Sequence, residues 1–461
     1  MRGQANESPQ VWLAPETLWP SAAGLLRFDH VTQRSLIYLC LLVIPVFVIS
    51  LPMQNSGAHG VTGDSHAGFV DLIGFPLMLL LMLRLPRSAI FFALFVFLGT
   101  ALISVLSAQT SKIKTLASVY RLIAIYTPFA IALSLSWTPQ AAERAVRWFW
   151  WSGLAGVLLG MFVYWIFGAV REHQQALHLG ESGGVVYRAG GMLGNSGGFS
   201  HLITGWAMSA LCLRWLGFGR LPRWQLLVTL GLLIYGIIVT ASRAAVLQVA
   251  AGMFFALLFM LRAGRSNAGR IVPVVGVFAI ALLLLLPLAA MLVDDNFLRG
   301  VMMRFGLTDS RSLMQTSRWD NWAQLVNLLG WTPIGIGYKT TTALTSINVD
   351  NSYLRIFFEM GVLGLLSFIA FWGLVLFNLL VGDSDPNVRR VKAVAAGMLM
   401  GELARMFFSD TFTMYLSMPT MALLMGIMLR LREPDDKVGA ADDTMGDAPL
   451  PAPRSRPGPR L

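Results

Sequence analysis

Apolar stretches about as long as a membrane-crossing helix recur along the chain, and short polar turns separate them. The hydrocarbon of a bilayer is ~30 Å thick, so a helix that crosses it needs about 20 apolar residues. A β-barrel would instead show alternating segments of ~10 residues. The pattern predicts an all-α, polytopic transmembrane helical bundle with about 12 spans. Their approximate bounds are 35–53, 67–84, 88–106, 115–136, 146–168, 198–218, 224–241, 244–262, 271–293, 353–381, 391–408 and 413–431.

Polar stretches divide the chain into three predicted segments and mark two long loops. Residues 1–34 are predicted to be a cytoplasmic N-terminal segment, and residues 35–432 to form the transmembrane bundle. Residues 433–461 are rich in Pro, Asp, Ala and Arg, which predicts a disordered cytoplasmic tail. Within the bundle, the glycine-rich loop 169–198 and the partly helical loop 294–350 are predicted to lie outside the membrane. A long ordered loop between spans usually has a function.

Basic residues in the short loops predict the orientation, because cytoplasmic loops are enriched in Lys and Arg. With the N-terminus inside, the inner short loops hold thirteen such residues, whereas the outer loops other than 294–350 hold six. Both termini are therefore predicted to be cytoplasmic. The chain is 56% hydrophobic and 13% charged, with a net charge of +11. The basic residues of the inner loops and of the tail explain most of this charge, so it does not indicate nucleic acid binding. Cys40 and Cys212 fall inside predicted spans, so no disulfide framework is expected.

The loop 294–350 contains a stretch with helical periodicity. Ser317 is a suitable N-cap and Gly330 a suitable C-terminal stop. The apolar face between them comprises Trp319, Trp322, Val326 and Leu329. The stretch predicts a short amphipathic helix at the outer membrane interface, with its tryptophans at headgroup depth. The alternative is a helix that only closes the top of the bundle.

Arg243 is the first candidate for a functional side chain. The apolar run 226–261 is too long for one crossing and about right for two, so Thr240–Arg243 is predicted to be the outer turn between them. A guanidinium at a membrane surface is costly unless something pairs with it. Arg188, in the glycine-rich loop, is the second candidate. The alternatives are an Arg243 side chain that reaches the lipid headgroups and an Arg188 that is simply solvated.

Asp350 and Asn351 open a predicted helix that continues through Tyr353. Asp or Asn at a helix start is also ordinary capping, and this alternative stays open. Within the same helix, Arg355 and Glu359 are four residues apart and can pair along one face.

Arg405 and Asp410 flank the last outer turn and are further candidates for the functional site. The alternative is that they form a surface pair or contact lipid headgroups. Arg318 belongs to the amphipathic stretch, and Arg121 is the only clear charge in the middle of a predicted span.

Four arginines are thus predicted at the outer surface with few carboxylates beside them: Arg188, Arg243, Arg318 and Arg405. Guanidinium groups bind phosphate oxygens in a bidentate manner, which favours a protein that recognises a lipid-linked pyrophosphate. No Asp, His or Cys cluster has metal-ligand spacing, so we expect an enzyme without a metal or cofactor. The chain has no P-loop, no GxGxxG before a helix and no GxSxG, which argues against nucleotide-dependent and hydrolase functions.

Several motifs together resemble the O-antigen ligase and O-antigen polymerase superfamily of bacterial inner-membrane glycosyltransferases. They are the SR turn at Thr240–Arg243, SRWDNW and PIGIGY within Ser317–Tyr338, DNSYLRIFFEMGVLGLL at Asp350–Leu366, and RAGGMLGN at Arg188–Asn195. The resemblance implies a metal-independent enzyme that acts on undecaprenyl-pyrophosphate-linked glycans at the periplasmic face of the inner membrane. It also implies that Arg188 and Arg243 hold the donor pyrophosphate. The predicted substrate-binding residues are Arg318, Asn351, Tyr353, Arg405, Trp319 and Trp322.

One departure from the family pattern favours a polymerase of exopolysaccharide or O-antigen repeat units. Ligases of the family usually carry His-Asn where this chain has Asp350-Asn351. All six histidines of this chain precede the loop 294–350. Asp350 is accordingly predicted to orient or deprotonate the acceptor hydroxyl. The alternatives are a ligase that transfers the glycan to lipid A-core or protein, and a transporter of the lipid-linked glycan. The predicted partners are the lipid-linked donor and acceptor, the bilayer and, as a candidate, a chain-length regulator.

Overall fold

The computed structural model describes residues 88–135, 137–166, 176–179, 184–187, 189, 196–215, 222–263, 317–330, 332–345, 347, 349–381, 385–414 and 417–431. The predicted spans 35–53, 67–84 and 271–293, the N-terminal segment 1–34 and the tail 433–461 lie outside these residues. Arg188, most of the loop 169–198 and all of residues 294–316 of the loop 294–350 also lie outside them.

Helices dominate these ranges. They are α1 (Ala89–Ile103), α2 (Lys112–Ser134), α3 (Pro139–Ile166), α4 (Ser196–Trp215), α5 (Arg223–Thr240), α6 (Arg243–Ala263), α7 (Ser317–Leu329), α8 (Thr341–Thr345), α9 (Ser352–Leu380), α10 (Pro386–Met406) and α11 (Met418–Leu429). Two short strands, β1 (Ala176–Leu179) and β2 (Gly184–Tyr187), lie between α3 and α4.

Nine of the predicted spans coincide with helices of the structure. Five helices of the described residues are long and apolar enough to cross a membrane, namely α2, α3, α5, α6 and α9. The helical membrane architecture is therefore confirmed, and the number of about 12 spans remains a prediction.

The all-α prediction has one exception, which lies in the glycine-rich loop. Strands β1 and β2 pair in antiparallel fashion, with Ala176 opposite Tyr187 and Leu179 opposite Gly184. The sequence predicted a glycine-rich loop here and did not reveal this strand pair. Four-residue strands are too short to leave a clear alternating pattern in the sequence.

Helices α6 and α10 approach each other closely through small residues. A Cβ atom added at Gly397 would collide with Ala256, and one added at Gly401 would collide with the carbonyl oxygen of Gln248. On α6, Gly252 faces both glycines of α10. Small residues four apart allow two membrane helices to bring their backbones into contact. Polar side chains beside this contact can therefore reach from one helix to the other.

Aromatic side chains fill the space between α1, α2 and α9. The ring of Tyr126 lies 5.8 Å from that of Phe97 and 6.0 Å from that of Phe371. Phe129 and Phe371 are 5.3 Å apart in an edge-on arrangement. These side chains are buried, and edge-on aromatic pairs contribute beyond the area that they bury.

Helix α9 is kinked at Gly361, and the PIGIGY turn packs against the kink. Gly361 has a φ of 75°, and Cβ would collide there with the backbone of Pro333. The amide of Ile336 donates to the carbonyl of Phe358 at 2.9 Å, and Gly337 donates to Glu359 at 3.1 Å. The turn thus satisfies carbonyl groups that the kink would leave unpaired.

Candidate functional site

Four chain segments predicted to lie outside meet at one end of the bundle, which we call the outer end. The hydroxyls of Ser200 at the start of α4 and Ser242 before α6 are 3.1 Å apart. Arg405, near the end of α10, donates to Ser200 at 2.7 Å. After α10, the carbonyl of Ser409 accepts from the hydroxyl of Ser352, at the start of α9, at 2.9 Å. The turn that carries Arg243 and the segment that carries Asp350 therefore belong to the same end.

Arg243 is the first residue of α6, and its side chain is half-buried. The preceding turn is tight, because Ala241 has a φ of 44°. The Ser242 hydroxyl accepts from the amide of Ala245 at 3.3 Å and so caps the helix. Beside this turn, the amide of Ala189 donates to the carbonyl of Val239 at 2.8 Å. Ala189, which directly follows Arg188 in sequence, thus lies next to the Arg243 turn.

Asn351 and Tyr353 both make hydrogen bonds within the protein. The side chain of Asn351 is buried and accepts from the amides of Tyr353 at 2.9 Å and Leu354 at 3.0 Å, which makes it the N-cap of α9. The Tyr353 hydroxyl donates to the carbonyl of Leu403 at 2.9 Å and joins α9 to α10. Asp350 is half-buried directly before this cap. Asn351 is therefore a helix cap, as the alternative proposed. Contact of Asn351 or Tyr353 with substrate stays a prediction.

The predicted amphipathic helix is present as α7, which confirms the helix. Among the described side chains of α7, Leu325 is buried and packs against Val349 and Phe358, so α7 rests on the segment that leads into α9. Trp322 is half-buried, and Val326 is 45% exposed. The side chains of Arg318 and Trp319 lie outside the described residues. Their contacts with phosphate or sugar therefore stay predictions.

A buried carboxylate, Glu402, lies at the centre of a polar network that sequence reasoning missed. Its Oε2 accepts from Gln248 at 2.8 Å and lies 2.6 Å from Nε2 of His201. Its Oε1 accepts from the Thr411 hydroxyl at 2.6 Å. We call His201, Gln248, Glu402, Arg405 and Thr411 the Glu402 network. The expectation that Arg121 is the only clear charge within a span was wrong, because Glu402 lies inside the predicted span 391–408.

Arg405 belongs to this network and is completely buried. Its Nη1 donates to Oε1 of Gln248 at 2.8 Å, and its Nη2 donates to the carbonyl of Gly197 at 2.8 Å and to Ser200. The alternative of a surface pair between Arg405 and Asp410 is wrong, because Asp410 binds Arg355 instead. A planar guanidinium with several fixed donors suits such a bridge between elements.

A second charged cluster lies where the PIGIGY turn meets α9. Arg355 donates to Asp410, and its Nε is 3.8 Å from Oε1 of Glu359, which confirms the predicted pairing along the helix. The amide of Lys339 donates to Glu359 at 2.8 Å, and its ammonium lies 3.9 Å from Asp410. Burial and then the charge of Glu359 raise the pKa of the neighbouring Tyr338 phenol well above its usual value. Two cations and two carboxylates therefore balance each other here.

The residues that the structure describes contain no group of three His, Cys, Asp or Glu side chains arranged to hold a metal ion.

Membrane-length helices, buried polar side chains and an arginine turn at the outer end define a polytopic membrane protein with a polar site at one end. Residues 228–369 match the family model described as O-Antigen ligase. The matched segment runs from α5 through the Arg243 turn, α7 and Asp350 into α9. It confirms the resemblance of this segment to the O-antigen ligase and polymerase superfamily and supports a function of the ligase or polymerase type. No curated protein sequence is significantly similar to the chain.

Proposed function

We propose that the protein is an inner-membrane glycosyltransferase that polymerises undecaprenyl-pyrophosphate-linked repeat units into exopolysaccharide or O-antigen at the periplasmic face. The observation that carries the proposal is the meeting of the Arg243 turn, the start of α4 and the Asp350 segment at one end of the bundle. This arrangement supports a reaction that uses a cationic donor site and a candidate base together.

The proposed reaction is a displacement at the anomeric carbon of the donor glycan. Arg243 and Arg188 bind the donor pyrophosphate, and the bond between the anomeric carbon and the phosphate oxygen breaks with its electrons going to the pyrophosphate. Fixed positive charge stabilises the negative charge that develops on this leaving group. The terminal hydroxyl of a second lipid-linked repeat forms the new glycosidic bond, and Asp350 accepts its proton. Much of the catalysis then comes from positioning the two substrates.

Ligase activity is the second candidate, since the matching family model is described as O-Antigen ligase. It would use the same donor site but transfer the glycan to lipid A-core or to protein. The presence of Asp350 where ligases usually carry histidine supports the polymerase.

A transporter is less well supported. The buried charges that such a protein could use are present, but both carboxylate oxygens of Glu402 are occupied by protein donors.

The decisive experiment uses purified protein in proteoliposomes with one lipid-linked repeat as the only substrate. A polymerase yields a ladder of products, whereas a ligase yields none until lipid A-core or another acceptor is added. A ladder that never forms, together with transfer to lipid A-core, would assign the ligase. Lipid-linked glycan that crosses the bilayer unchanged would assign the transporter.

Two variants test the residues of the proposed site in this assay. Arg243→Ala should abolish polymer formation, whereas Arg262→Ala should retain it, since Arg262 is exposed in the last turn of the same helix. Equal activity of the two variants would refute the donor site. Asp350→Asn should lower turnover by about 100-fold if Asp350 is the base, and normal turnover would leave it a residue beside the helix cap.

A further inference from the structure

We propose that Arg405 is a positioning residue that holds the two arginine-bearing segments in place and does not contact substrate. This inference rests on the proposed function. The guanidinium of Arg405 is completely buried, and its Nη atoms donate to three protein acceptors. Its Nε makes no hydrogen bond to the described residues but is buried with the rest of the side chain, so an incoming pyrophosphate would have to displace protein groups to reach the guanidinium.

The contacts of Arg405 join the two segments that are predicted to hold the donor. Nη2 binds the carbonyl of Gly197 and the hydroxyl of Ser200 at the start of α4, directly after the glycine-rich loop that contains Arg188. The Ser200 hydroxyl in turn lies 3.1 Å from that of Ser242, the neighbour of Arg243. One side chain of α10 is therefore linked to both segments.

Gln248 supports Arg405 from the opposite side. Its carbonyl oxygen accepts from Arg405 at 2.8 Å, while its amide nitrogen donates to Glu402 at 2.8 Å. The two ends of an amide are not equivalent, so this residue can connect a cation to a carboxylate in one orientation only. Gln248 reaches both partners because Gly401 allows α6 and α10 to touch. The guanidinium is thus held by a closely packed pair of helices.

A lysine at position 405 separates positioning from charge. It would keep the positive charge but lose the planar fork that binds Gln248, Gly197 and Ser200 together. If Arg405 acts by positioning Arg243, replacement of Arg405 should lower activity only when Arg243 is intact. Once Arg243 is itself replaced, the further loss should be small. Two residues that act through one step show non-additive effects, whereas independent contacts multiply.

The test is a double-mutant cycle in proteoliposomes with a single lipid-linked repeat. We expect Arg405→Lys to lower kcat/KM for the donor by about tenfold, the effect of losing one strong hydrogen bond. In an Arg243→Lys background, we expect a further loss of less than about threefold. A full tenfold loss in both backgrounds would overturn the inference alone. An Arg243→Lys variant with wild-type activity would overturn the proposed function and the inference with it.

A milder variant guards against simple misfolding. Ser242→Ala removes the hydroxyl that connects Ser200 to the Arg243 turn and that also caps α6. We expect a loss of about threefold in kcat/KM per folded molecule, together with a small loss of thermal stability from the lost cap. The matched control is Ser209→Ala, a buried serine of α4 that donates only to the carbonyl of Trp206. We expect wild-type activity for this control. Equal activity of the two serine variants would contradict the inference.

Discussion

The imidazole Nε2 of His201 lies 2.6 Å from Oε2 of Glu402, although the two residues are 201 positions apart in sequence. Both side chains are buried, and the hydrogen bond joins α4 to α10. Nδ1 of the same imidazole binds the hydroxyl of Ser417, just before α11. Three helices are therefore held together around one histidine and one carboxylate.

Replacement of Glu402 should destabilise the fold strongly. Glu402→Leu would leave the donors of His201, Gln248 and Thr411 without their acceptor, and we expect a loss of about 3 kcal/mol in the free energy of unfolding. Denaturation in detergent, followed by circular dichroism, measures this change. The matched control is Glu143→Gln, whose partner Arg147 is largely exposed, so we expect less than about 1 kcal/mol. Similar losses in both variants would contradict a central role for Glu402.

The close contact between α6 and α10 predicts a sharp sensitivity to one methyl group. Gly401→Ala would push the new Cβ into the carbonyl of Gln248, and we expect a loss of about 1–3 kcal/mol. Gly373→Ala in α9 is the control, because its Cβ would have no neighbour within 4 Å. We expect this control to be neutral or slightly stabilising. A Gly401→Ala protein as stable as the control would show that the helices lie further apart.

The kink in α9 can be tested with two glycines that both have positive φ. Gly361→Ala places Cβ against the backbone of Pro333, whereas Gly330→Ala meets no atom within 4 Å. We expect about 1 kcal/mol of backbone strain for Gly330→Ala and a clearly larger loss for Gly361→Ala. Tryptic cleavage after Lys339, which directly follows the turn, should also accelerate only in the Gly361→Ala variant. Equal stability of the two variants would mean that the turn does not pack against the kink.

Asn351 offers a test of capping against substrate binding. Asn351→Ala should cost about 1 kcal/mol of stability, because two amides at the start of α9 lose their acceptor, whereas Asn351→Asp should keep the cap. Activity per folded molecule then decides between the two roles. Unchanged specific activity in both variants leaves Asn351 a cap. A loss in the alanine variant that exceeds the loss of folded protein would support the predicted substrate contact.

Features encoded within one helix could be predicted from the sequence. Apolar length is local information, so nine predicted spans fall on helices. The pairing of Arg355 with Glu359 also needed only their spacing of four residues. The turn before Arg243 followed from a run too long for one crossing.

The Glu402 network could not be predicted in this way, because it depends on which helices become neighbours. Gln248 and Glu402 are 154 positions apart, and Arg405 and Gln248 are 157 apart. The available signal was a polar residue within each of two apolar stretches, which marks a position that faces the bundle interior. Arg405 was correctly placed near the last outer turn, but only the packing of α4 against α10 directs its side chain inward.

The contact between α6 and α10 also has a consequence for synthesis. Helix α6 ends at Ala263 and α10 begins at Pro386, so the ribosome completes the first helix long before the second emerges. During that interval Gln248 has neither Glu402 nor Arg405 to bind. The Thr204 hydroxyl of α4 can already donate to its carbonyl oxygen at 2.5 Å, but its N–H groups must be shielded by water, lipid headgroups or an insertion factor. A chain that stalls before α10 would therefore present an unpaired polar group inside the bilayer, which is a feature that membrane quality control could recognise.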